Sequence, residues 1–559
     1  MIKIKAECKF FSHDQWLVML LVVGFAFRLV FALMPLRVHL TLLEDDAWMV
    51  TAIARNVALG NGISADGVHS TNGFHPLYPL TLSLLPYLVA PNNLVFGFTA
   101  NLVICAVLNT MIIIPLTLLL RQFVPLWAVR IGVALFSLNT YLIRLSVNAM
   151  ETSLALLVLI IFVLCLTTTS KNSIRQASLL GSIMGLSILS RLDNGLMGMV
   201  VGIVWIMVNL YQRKGLQYPI IYGLTTIGIL IPYFIRNLTV FGSFFPSSGK
   251  ALAYLHSYED SFRLTSIVQF IPYNSLVNMN FISSNLILCL LAIIVFITLV
   301  WVSIRSKNYQ QTLISITLYI FSLTFYYAYI QQQGNPRYYV GVSTLLIVPI
   351  MLLLVRITTV WSSRILNTVL AALGLVVIVT NSGEAILRYQ HVSQATFLSQ
   401  PTMYETALWI AQNLPPDTKI AARNSGILQY YSDRFVLNID GKLNHEIIPV
   451  LEKRELLMYL KENQIEYIID LYDVNEYIEF YSKELTDAPA HREISIIQRI
   501  NIYVKLIALK IGIPTTSVQL EKREITHLIK PFTDVAPIWR VFPRPFDSSN
   551  PITIFRMKP

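Results

Sequence analysis

The sequence predicts a polytopic α-helical membrane protein with a soluble α/β domain at its C-terminal end. Of its 559 residues, 55% are hydrophobic and only 13% are charged, and the mean hydropathy is +0.60. Soluble domains carry about 25% charged residues, so this composition excludes an ordinary soluble protein. Apolar stretches of the roughly 20 residues that cross a bilayer recur over the first two thirds of the chain. From about residue 384 onward, charged residues return at the density of a soluble domain.

About eleven stretches within residues 1–383 are long and apolar enough to be predicted as membrane spans. The run 75–89 is also apolar, but it contains Pro76, Pro79 and Pro86. Because proline interrupts a helix, we expect this run to form a helix that lies at the membrane interface without spanning. The predicted spans are residues 16–35, 94–120, 127–145, 152–169, 177–189, 196–211, 218–235, 284–304, 312–330, 338–355 and 365–380.

The distribution of Lys and Arg predicts the orientation of the chain, because positive residues concentrate on the cytoplasmic side. With the N-terminus inside and the run 75–89 at the interface, the inner connections are the basic ones. The first connection, 36–93, the loop 236–283 and the domain 384–559 then lie together on the outer side. The net charge of +11 is explained by this orientation and by attraction to anionic lipid, and no arginine-rich stripe indicates nucleic-acid binding. The inner basic residues are Lys3, Lys5, Lys9, Arg121, Lys171, Arg175, Arg213, Lys214, Arg305, Lys307, Arg356 and Arg364.

Strand-like and helical stretches alternate after residue 400, which favours a small layered sheet. The predicted strands are 419–423, 435–439 and 467–471, and the predicted helices are 404–414 and 446–462. Asn424-Ser425-Gly426 and Asp440-Gly441 come at strand ends, where Gly and Asn usually form turns. The run 495–511 has apolar residues at helical spacing and is either a core helix or an interface helix.

An acidic cluster, Glu44-Asp45-Asp46, follows the first predicted span where the chain leaves the lipid. A carboxylate at the bilayer centre costs several kcal/mol, and at the surface a pair of acids indicates a base or a cation site. The alternative is a solvated loop that merely ends the helix. Other polar residues come at the outer ends of separate predicted spans, where cations can hold a phosphate and acids can deprotonate a hydroxyl or bind a divalent ion. These residues are Glu151, Arg191, Asp193, Lys250, Arg337 and Tyr338.

The first outer loop carries a family resemblance. Asp45-Asp46-Ala47-Trp48, with Asn61-Gly62 and Thr71-Asn72-Gly73-Phe74-His75-Pro76, resembles the first outer loop of GT-C glycosyltransferases. These are integral membrane enzymes that take a sugar from a polyprenyl-phosphate carrier. Met150-Glu151-Thr152 resembles their second acidic site, and Arg191-Leu192-Asp193 and Arg337-Tyr338 resemble their outer-face motifs. The chain is most similar to the bacterial arabinofuranosyl- and aminoarabinose-transferase branches.

The resemblance implies roles for individual residues. Asp45, as the first acid of the pair, is the expected base, ionised in the resting enzyme. Asp46 and Glu151 orient the acceptor or hold a divalent cation such as Mg²⁺ or Mn²⁺, with Asp45 as a third candidate ligand. His75 hydrogen-bonds the sugar or caps the helix before Pro76. The expected phosphate ligands are Arg191, Arg337 and Lys250, and the further substrate-binding candidates are Asn72, Asp193 and Tyr338.

The implied activity is the inverting transfer of a hexose or pentose from polyprenyl phosphate to a hydroxyl group. The acceptor is a cell-envelope glycan, a lipid or a protein at the outer face of a bacterial inner membrane. The alternatives are a transporter that flips a lipid-linked sugar without chemistry and a catalytically inactive relative with a binding role. Broken helices and charges near the bilayer midplane would favour the transporter, whereas charges clustered at one face favour the enzyme.

The predicted orientation can be tested with reporter fusions. A reporter in the connection 171–175 should face the cytoplasm, and a reporter after Pro559 should face the outside, because the inner connections hold the basic residues. A cytoplasmic signal from the C-terminal fusion would contradict both the orientation and a shared outer site.

Overall fold

The computed structural model describes residues 14–168, 173–256, 310–327, 335–360 and 400–471, with shorter pieces at 300, 331, 477–478, 480–482, 535–537 and 552–557. Each predicted span that lies mainly within these residues coincides with a helix. The predicted spans 284–304 and 365–380 lie outside them, so the count of about eleven remains a prediction. The helices are α1 Gln15–Ala32, α2 Leu36–Leu42, α3 Asp46–Ala58, α4 Leu85–Val89, α5 Leu94–Met111, α6 Ile113–Arg121, α7 Leu126–Ser137, α8 Thr140–Ser146, α9 Thr152–Thr168, α10 Ile174–Ser190, α11 Gly195–Tyr211, α12 Gln217–Phe241, α13 Ser247–His256, α14 Gln310–Phe325, α15 Val340–Val360, α16 Gln400–Asn413, α17 Gly426–Tyr431, α18 Ile447–Lys453 and α19 Leu456–Glu462.

The helices of the first two thirds form a membrane-spanning bundle. Within the described residues, five helical segments are long and apolar enough to cross a membrane, and α7 with α8 makes a sixth that is bent by 56°. Exposed apolar side chains cover the outside of the bundle, among them Val22, Val30 and Ile203, each 60% exposed. Because such surfaces are stable only against lipid, the chain is an integral membrane protein. The five segments are Gln15–Ala32, Leu94–Arg121, Leu192–Tyr211, Gln217–Phe241 and Pro336–Thr358.

Small residues allow the helices to pack closely. Helix α10 lies along α12 and presents Gly181 and Gly185 to it. A Cβ atom on Gly181 would lie 2.5 Å from the carbonyl oxygen of Tyr222, and one on Gly185 would lie 2.6 Å from Cβ of Ile229. The Gly-xxx-Gly spacing therefore brings two backbones together, as is common between membrane helices.

The bend between α7 and α8 is stabilised by a buried arginine of the first span. Arg28 in α1 is fully buried and donates to the carbonyl oxygens of Ser137 at 2.9 Å and Phe136 at 3.4 Å. It also donates to Oδ1 of Asn109 at 2.6 Å. Carbonyl groups left free by a break in a helix must be paired within the lipid region. Arg28 therefore allows the predicted third span to bend at the junction of α7 and α8.

The first outer connection folds differently from the prediction in one respect. The run 75–89 was expected to be one interfacial helix, but residues 77–84 form turns and only α4, Leu85–Val89, is helical. The physical reason is that Pro76 and Pro79 lack the N–H group that continues a helix. Leu85, Leu88 and Val89 are at least 49% exposed, so an apolar surface remains.

The described part of the C-terminal region forms a five-stranded sheet in the order β2-β1-β3-β5-β4 with helices between its parallel strands, and this sheet with its helices is called the α/β domain below. Strands β1 to β3 are parallel, whereas β5 runs antiparallel to β3 and β4. The predicted helix 446–462 is two helices, α18 and α19, because Arg454 adopts a left-handed conformation with φ of 59° and ends α18. The predicted helix 495–511 lies outside the described residues. The strands are β1 Lys419–Ala422, β2 Phe435–Asn438, β3 Tyr467–Leu471, β4 Val535–Pro537 and β5 Ile552–Met557.

The α/β domain and the first outer connection share one hydrophobic core. Helix α3 packs against α17, and Trp48 of α3 stacks on Phe98 with ring centroids 4.8 Å apart. The hydroxyl groups of Tyr87 and Tyr430 are 2.7 Å apart, which links α4 to α17. Because these rings are almost fully buried, the domain is packed against the membrane-spanning part instead of being joined to it only by the chain.

The role of Arg28 predicts a loss of stability on substitution. Arg28→Leu leaves two carbonyl groups and the Asn109 amide without this donor, and each unsatisfied buried group costs about 1–3 kcal/mol. The expected result is a clear fall in the thermal unfolding temperature of the protein in detergent. Phe27→Leu, on the 45%-exposed neighbouring side chain, is the control and should change little. Equal unfolding temperatures for Arg28→Leu and wild type would show that the bend does not need this arginine.

Candidate functional site

Asp45, the residue before α3, has its carboxylate held by the α/β domain. Oδ2 accepts a hydrogen bond from the backbone N–H of Gly426 at 2.8 Å, and Oδ1 accepts one from the N–H of Ile427 at 2.9 Å. A Cβ atom on Gly426 would lie 2.4 Å from the carbonyl oxygen of Asp45, so only glycine allows this approach. Burial raises the pKa of Asp45 to about 7, although the two N–H groups favour the charged form. Burial of Asp45 therefore opposes, near neutral pH, the ionised form that the sequence leads us to expect.

Asp46, at the first position of α3, lies between two cations. Its Oδ2 is 2.9 Å from Nη2 of Arg337, and its Oδ1 is 3.5 Å from Nζ of Lys442. Burial by itself would raise the pKa of Asp46, but Lys442 and Arg337 outweigh this effect and hold the pKa below its usual range. The two neighbouring acids thus differ chemically, because Asp46 remains an anion where Asp45 takes up a proton.

Arg337 connects the last of the described spans to the acidic cluster. In addition to Asp46, its guanidinium is 3.1 Å from Oε2 of Glu44, and its side chain is only 6% exposed. The amide of Asn335 donates to the same glutamate at 2.8 Å. Nε of Arg337 is buried and has no hydrogen-bond partner among the described residues. The predicted phosphate ligand is therefore already paired with carboxylates, but it retains one unused donor.

A second polar cluster surrounds Arg191, at the outer end of α10. Its Nη1 is 3.2 Å from Glu151 and its Nε is 2.9 Å from Asp193. Nε2 of His75 lies 3.8 Å from Glu151, while Nδ1 accepts from the N–H of Leu192 at 3.2 Å. Burial lowers the pKa of His75, although Glu151 opposes the effect, so the ring is neutral and presents its Nε2–H to the carboxylate.

Tyr338 lies between the two clusters. The guanidinium of Arg191 is 5.0 Å and that of Arg337 is 5.2 Å from the centre of its ring. The ring also stacks on Tyr327, whose hydroxyl donates to Asp193. The structure therefore brings eight of the ten predicted site residues into one connected polar region: Asp45, Asp46, His75, Glu151, Arg191, Asp193, Arg337 and Tyr338.

The other two predicted residues lie elsewhere. Asn72 is buried, and its Oδ1 accepts from the N–H of Ser247 at the start of α13 at 3.1 Å. Lys250 has a 62%-exposed side chain that is paired with Glu452 at 3.4 Å. Asn72 therefore holds two loops together, and the paired, exposed Lys250 does not have the surroundings of a phosphate ligand.

Beside Arg337 lies a cavity of about 230 Å³ that sequence reasoning did not identify. Its walls combine Leu42, Leu43, Leu145 and Met150 with polar groups. The charged residues that line it are Glu44, Arg144 and Arg337, which leaves one excess positive charge. Arg144 lies on α8, beyond the bend that Arg28 stabilises. The only feature of the sequence that could have identified Arg144 as a site residue is its position at the outer end of a predicted span. The other lining residues are Asn148, Asn335 and Pro336.

The carboxylates of Asp45, Asp46 and Glu151 do not form a metal site in the arrangement that the structure shows. Among the described residues, no group of three or more His, Cys, Asp or Glu side chains lies close enough to hold a metal ion. Of the predicted ligands, Asp45 accepts from two N–H groups, Asp46 pairs with two cations and Glu151 pairs with Arg191. In this arrangement these residues do not fit a divalent cation such as Mg²⁺ or Mn²⁺, which is one of the two roles that the resemblance implies for Asp46 and Glu151.

Comparisons by sequence give little information about the chain. Residues 387–509 match a family described as "Domain of unknown function (DUF8728)", which covers only part of the α/β region. No curated protein matches by sequence.

Comparisons of structure are informative. The Archaeoglobus fulgidus oligosaccharyltransferase, in a crystal structure with Zn and sulfate, aligns with 84% of this chain and 70% of its own, at 12% identity and a TM-score of 0.54. ArnT from Cupriavidus metallidurans, bound to undecaprenyl phosphate, aligns with 83% of this chain and 94% of its own, at 13% identity and a TM-score of 0.51. Its apo form aligns with 84% and 95%, at 14% identity and a TM-score of 0.51. Both proteins are GT-C glycosyltransferases, and identities this low show a common fold. The chain is thus an integral membrane protein with the GT-C fold, as the resemblance of its first outer loop predicted.

Proposed function

We propose that this protein transfers a monosaccharide from a polyprenyl-phosphate carrier to a hydroxyl acceptor, with inversion at the anomeric carbon. The observation that carries the proposal is the position of Arg337, which lines an apolar cavity on one side and binds the Asp46 carboxylate on the other. Arg337 thereby connects a cavity that suits an anionic lipid with the acid pair Asp45 and Asp46. The GT-C fold of the chain and the undecaprenyl phosphate bound to ArnT support the same donor class.

The cavity fits the phosphate end of such a donor. The linkage between polyprenol and sugar is a phosphodiester with one negative charge, and the charged lining residues leave one excess positive charge. The guanidinium groups of Arg144 and Arg337 can form charge-assisted hydrogen bonds with it. The leucine side chains provide apolar contacts for the first isoprene units, so the cavity suits a group that is anionic at one end and apolar at the other.

Asp45 is the proposed base. Its carboxylate takes the proton of the acceptor hydroxyl while the hydroxyl oxygen attacks the anomeric carbon. The bond from that carbon to the phosphate oxygen breaks, and polyprenyl phosphate leaves with the electron pair and a second negative charge. Arg144 and Arg337 stabilise this charge. A pKa near 7 suits a general base at neutral pH, whereas the strongly paired Asp46 is a poor base.

The remaining cluster has a supporting role in this proposal. Arg191 pairs with both Glu151 and Asp193, which leaves one excess negative charge, and the ring of Tyr338 lies against the guanidinium groups of Arg191 and Arg337. His75, with its Nε2–H beside Glu151, lies on the first outer connection, where it can contact the sugar. The proposed site faces the outside of a bacterial inner membrane. Hexose or pentose donors, and glycan, lipid or protein acceptors, are all compatible with it.

The bent third span and the intramembrane Arg28 are features that the transporter alternative also predicts. However, Arg28 is fully buried, and its hydrogen bonds all go to neighbouring helices and to its own backbone. It therefore stabilises the protein and lines no passage for a substrate. This observation favours the enzyme.

The role of Asp45 predicts a pH-dependent rate. Transfer of labelled sugar from polyprenyl phosphate in proteoliposomes should rise with pH through about 7, because only the ionised carboxylate accepts the proton. Asp45→Asn should lower the rate about 10²–10⁴-fold, and its residual rate should no longer rise near pH 7. Asp433→Asn, at an 80%-exposed carboxylate, is the control. Full transfer by Asp45→Asn would exclude this base, and no transfer by wild type from any polyprenyl-phosphate sugar would favour the transporter.

The cavity predicts that Arg144 binds the donor. Arg144→Ala should raise the donor concentration for half-maximal rate at least about tenfold, since a hydrogen bond to a charged group contributes roughly 1.5–3 kcal/mol. Arg144→Lys should restore only part of the loss, because the planar fork is absent. Arg213→Ala, at an exposed arginine, should have no effect. A substitution of Arg337 would also leave Glu44 and Asp46 without their partner. Unchanged donor saturation in Arg144→Ala would place the phosphate elsewhere.

A further inference from the structure

The carboxyl ends of the parallel strands in the α/β domain face the acidic cluster of the first outer connection. Strand β1 ends at Ala422 and leads into a turn, residues 424–427, which donates the two N–H groups to Asp45. Strand β2 ends at Asn438 and leads to Lys442, which pairs with Asp46. In open α/β sheets this edge is where ligands usually bind. Here it is occupied by two carboxylates from another part of the same chain.

We propose that the α/β domain is part of the catalytic unit, in which Asn438 and Asp470 are positioning residues that fix the turn 424–427 and thereby hold Asp45 as an oriented, ionisable base. This inference rests on the proposed function of Asp45. It assigns a role to a region in which residues 387–509 match a domain of unknown function.

Asp470 holds the start of the turn. Its side chain is fully buried, and it accepts hydrogen bonds from the backbone N–H of Asn424 at 3.1 Å and from the side-chain amide of Asn424 at 2.9 Å. It also accepts from the backbone N–H of Arg423. A buried carboxylate with this many donors strongly restricts the backbone that supplies them.

Asn438 ties the two contacts with the first outer connection together. Its Nδ2 donates to the carbonyl oxygen of Arg423 and to Oγ of Ser425, both at 3.1 Å. Its Oδ1 accepts from the N–H of Leu443 at 3.2 Å, next to Lys442. One buried amide therefore fixes both the turn that holds Asp45 and the loop that holds Asp46.

The first outer connection is shaped to receive this edge. A Cβ atom on Gly73 would lie 1.6 Å from the carbonyl oxygen of Lys442, so this glycine permits the contact. Arg236 donates to the carbonyl of Thr71 at 3.1 Å, and Asn72 binds Ser247. Gly73 thus contacts the α/β domain, while Thr71 and Asn72 on the same motif are held by α12 and α13.

The turn has a chemical consequence for Asp45. The carboxylate is buried, which opposes its charge, and the two N–H groups partly offset that effect. The charged groups around it are Glu44 and Asp46 from its own segment, Lys442 from the α/β domain and Arg337 beyond Asp46. Removing one N–H group leaves these charges in place and makes the ionised form harder to reach.

Ile427→Pro removes one donor and is the main test. The N–H of Ile427 lies in the first turn of α17, where it bonds to Asp45 and where proline is tolerated. We expect the rise of the transfer rate with pH to move about one unit or more towards alkaline pH, since a hydrogen bond to a charged group is lost. At pH 6 the rate should be about tenfold below that of Ile427→Val, which keeps the N–H group, and at pH 9 the two should approach each other.

Asn438→Ala provides a second variant and should shift the pH profile in the same direction. Folding is checked for each variant by gel filtration and thermal unfolding in detergent. A folded Ile427→Pro or Asn438→Ala protein that has the wild-type pH profile, or a loss of rate that is equal at all pH values, would overturn the proposal. If both variants fail to fold while Ile427→Val folds, the turn 424–427 serves the stability of the protein. This outcome would also overturn the proposal. A wild-type protein that transfers no sugar refutes the proposed function instead, so the two failures are distinguishable.

Discussion

The ion pair between Arg337 and Asp46 is the interaction on which the arrangement of the site depends. The two residues are far apart in the sequence, and their side chains are mostly removed from water. A buried charge is costly unless it is paired, so neither residue can move without the other. Through Glu44 and Lys442, the same network joins the last described span, the first outer connection and the α/β domain. A single electrostatic requirement thereby fixes three parts of the chain relative to one another.

The membrane-spanning part of the chain also contains a buried charge, Arg28, that must be paired. Arg28 pairs with the carbonyl groups released by the bend between α7 and α8. Arg144 lies on α8 and lines the cavity beside Arg337. The buried charge of Arg28 thus influences the position of Arg144 through the bend. No direct contact between the two arginines is needed for this effect.

The ion pairs of Arg337 would also affect the binding of a substrate that carries a phosphate. Arg337 contacts two carboxylates, so a phosphate that binds here would compete with Glu44 and Asp46 for the N–H groups of the guanidinium. The exception is the buried Nε, which has no hydrogen-bond partner among the described residues. Such competition lowers the affinity for the intact donor. In the proposed reaction, a departing phosphate with two negative charges would compete for the guanidinium more strongly than the singly charged donor, so Arg337 would stabilise the transition state more than the ground state.

The sequence by itself determined the membrane-spanning helices, the α/β character of the C-terminal region and the polar residues that gather at one face. Apolar length, strand alternation and charge at the end of a span are local properties, so Asp45, Glu151, Arg191 and Arg337 could be identified without coordinates. Only the tertiary structure decided their partners. Asp45 and Asp46 are adjacent and chemically alike in the sequence, yet one meets two N–H groups and the other meets two cations. The packing also places Arg144 beside the cavity, Lys442 beside Asp46 and Lys250 beside Glu452, and no local pattern in the sequence indicates these contacts. The pKa and the contacts of a charged group depend on residues hundreds of positions away, and only the packing of the α/β domain against the first outer connection brings them together.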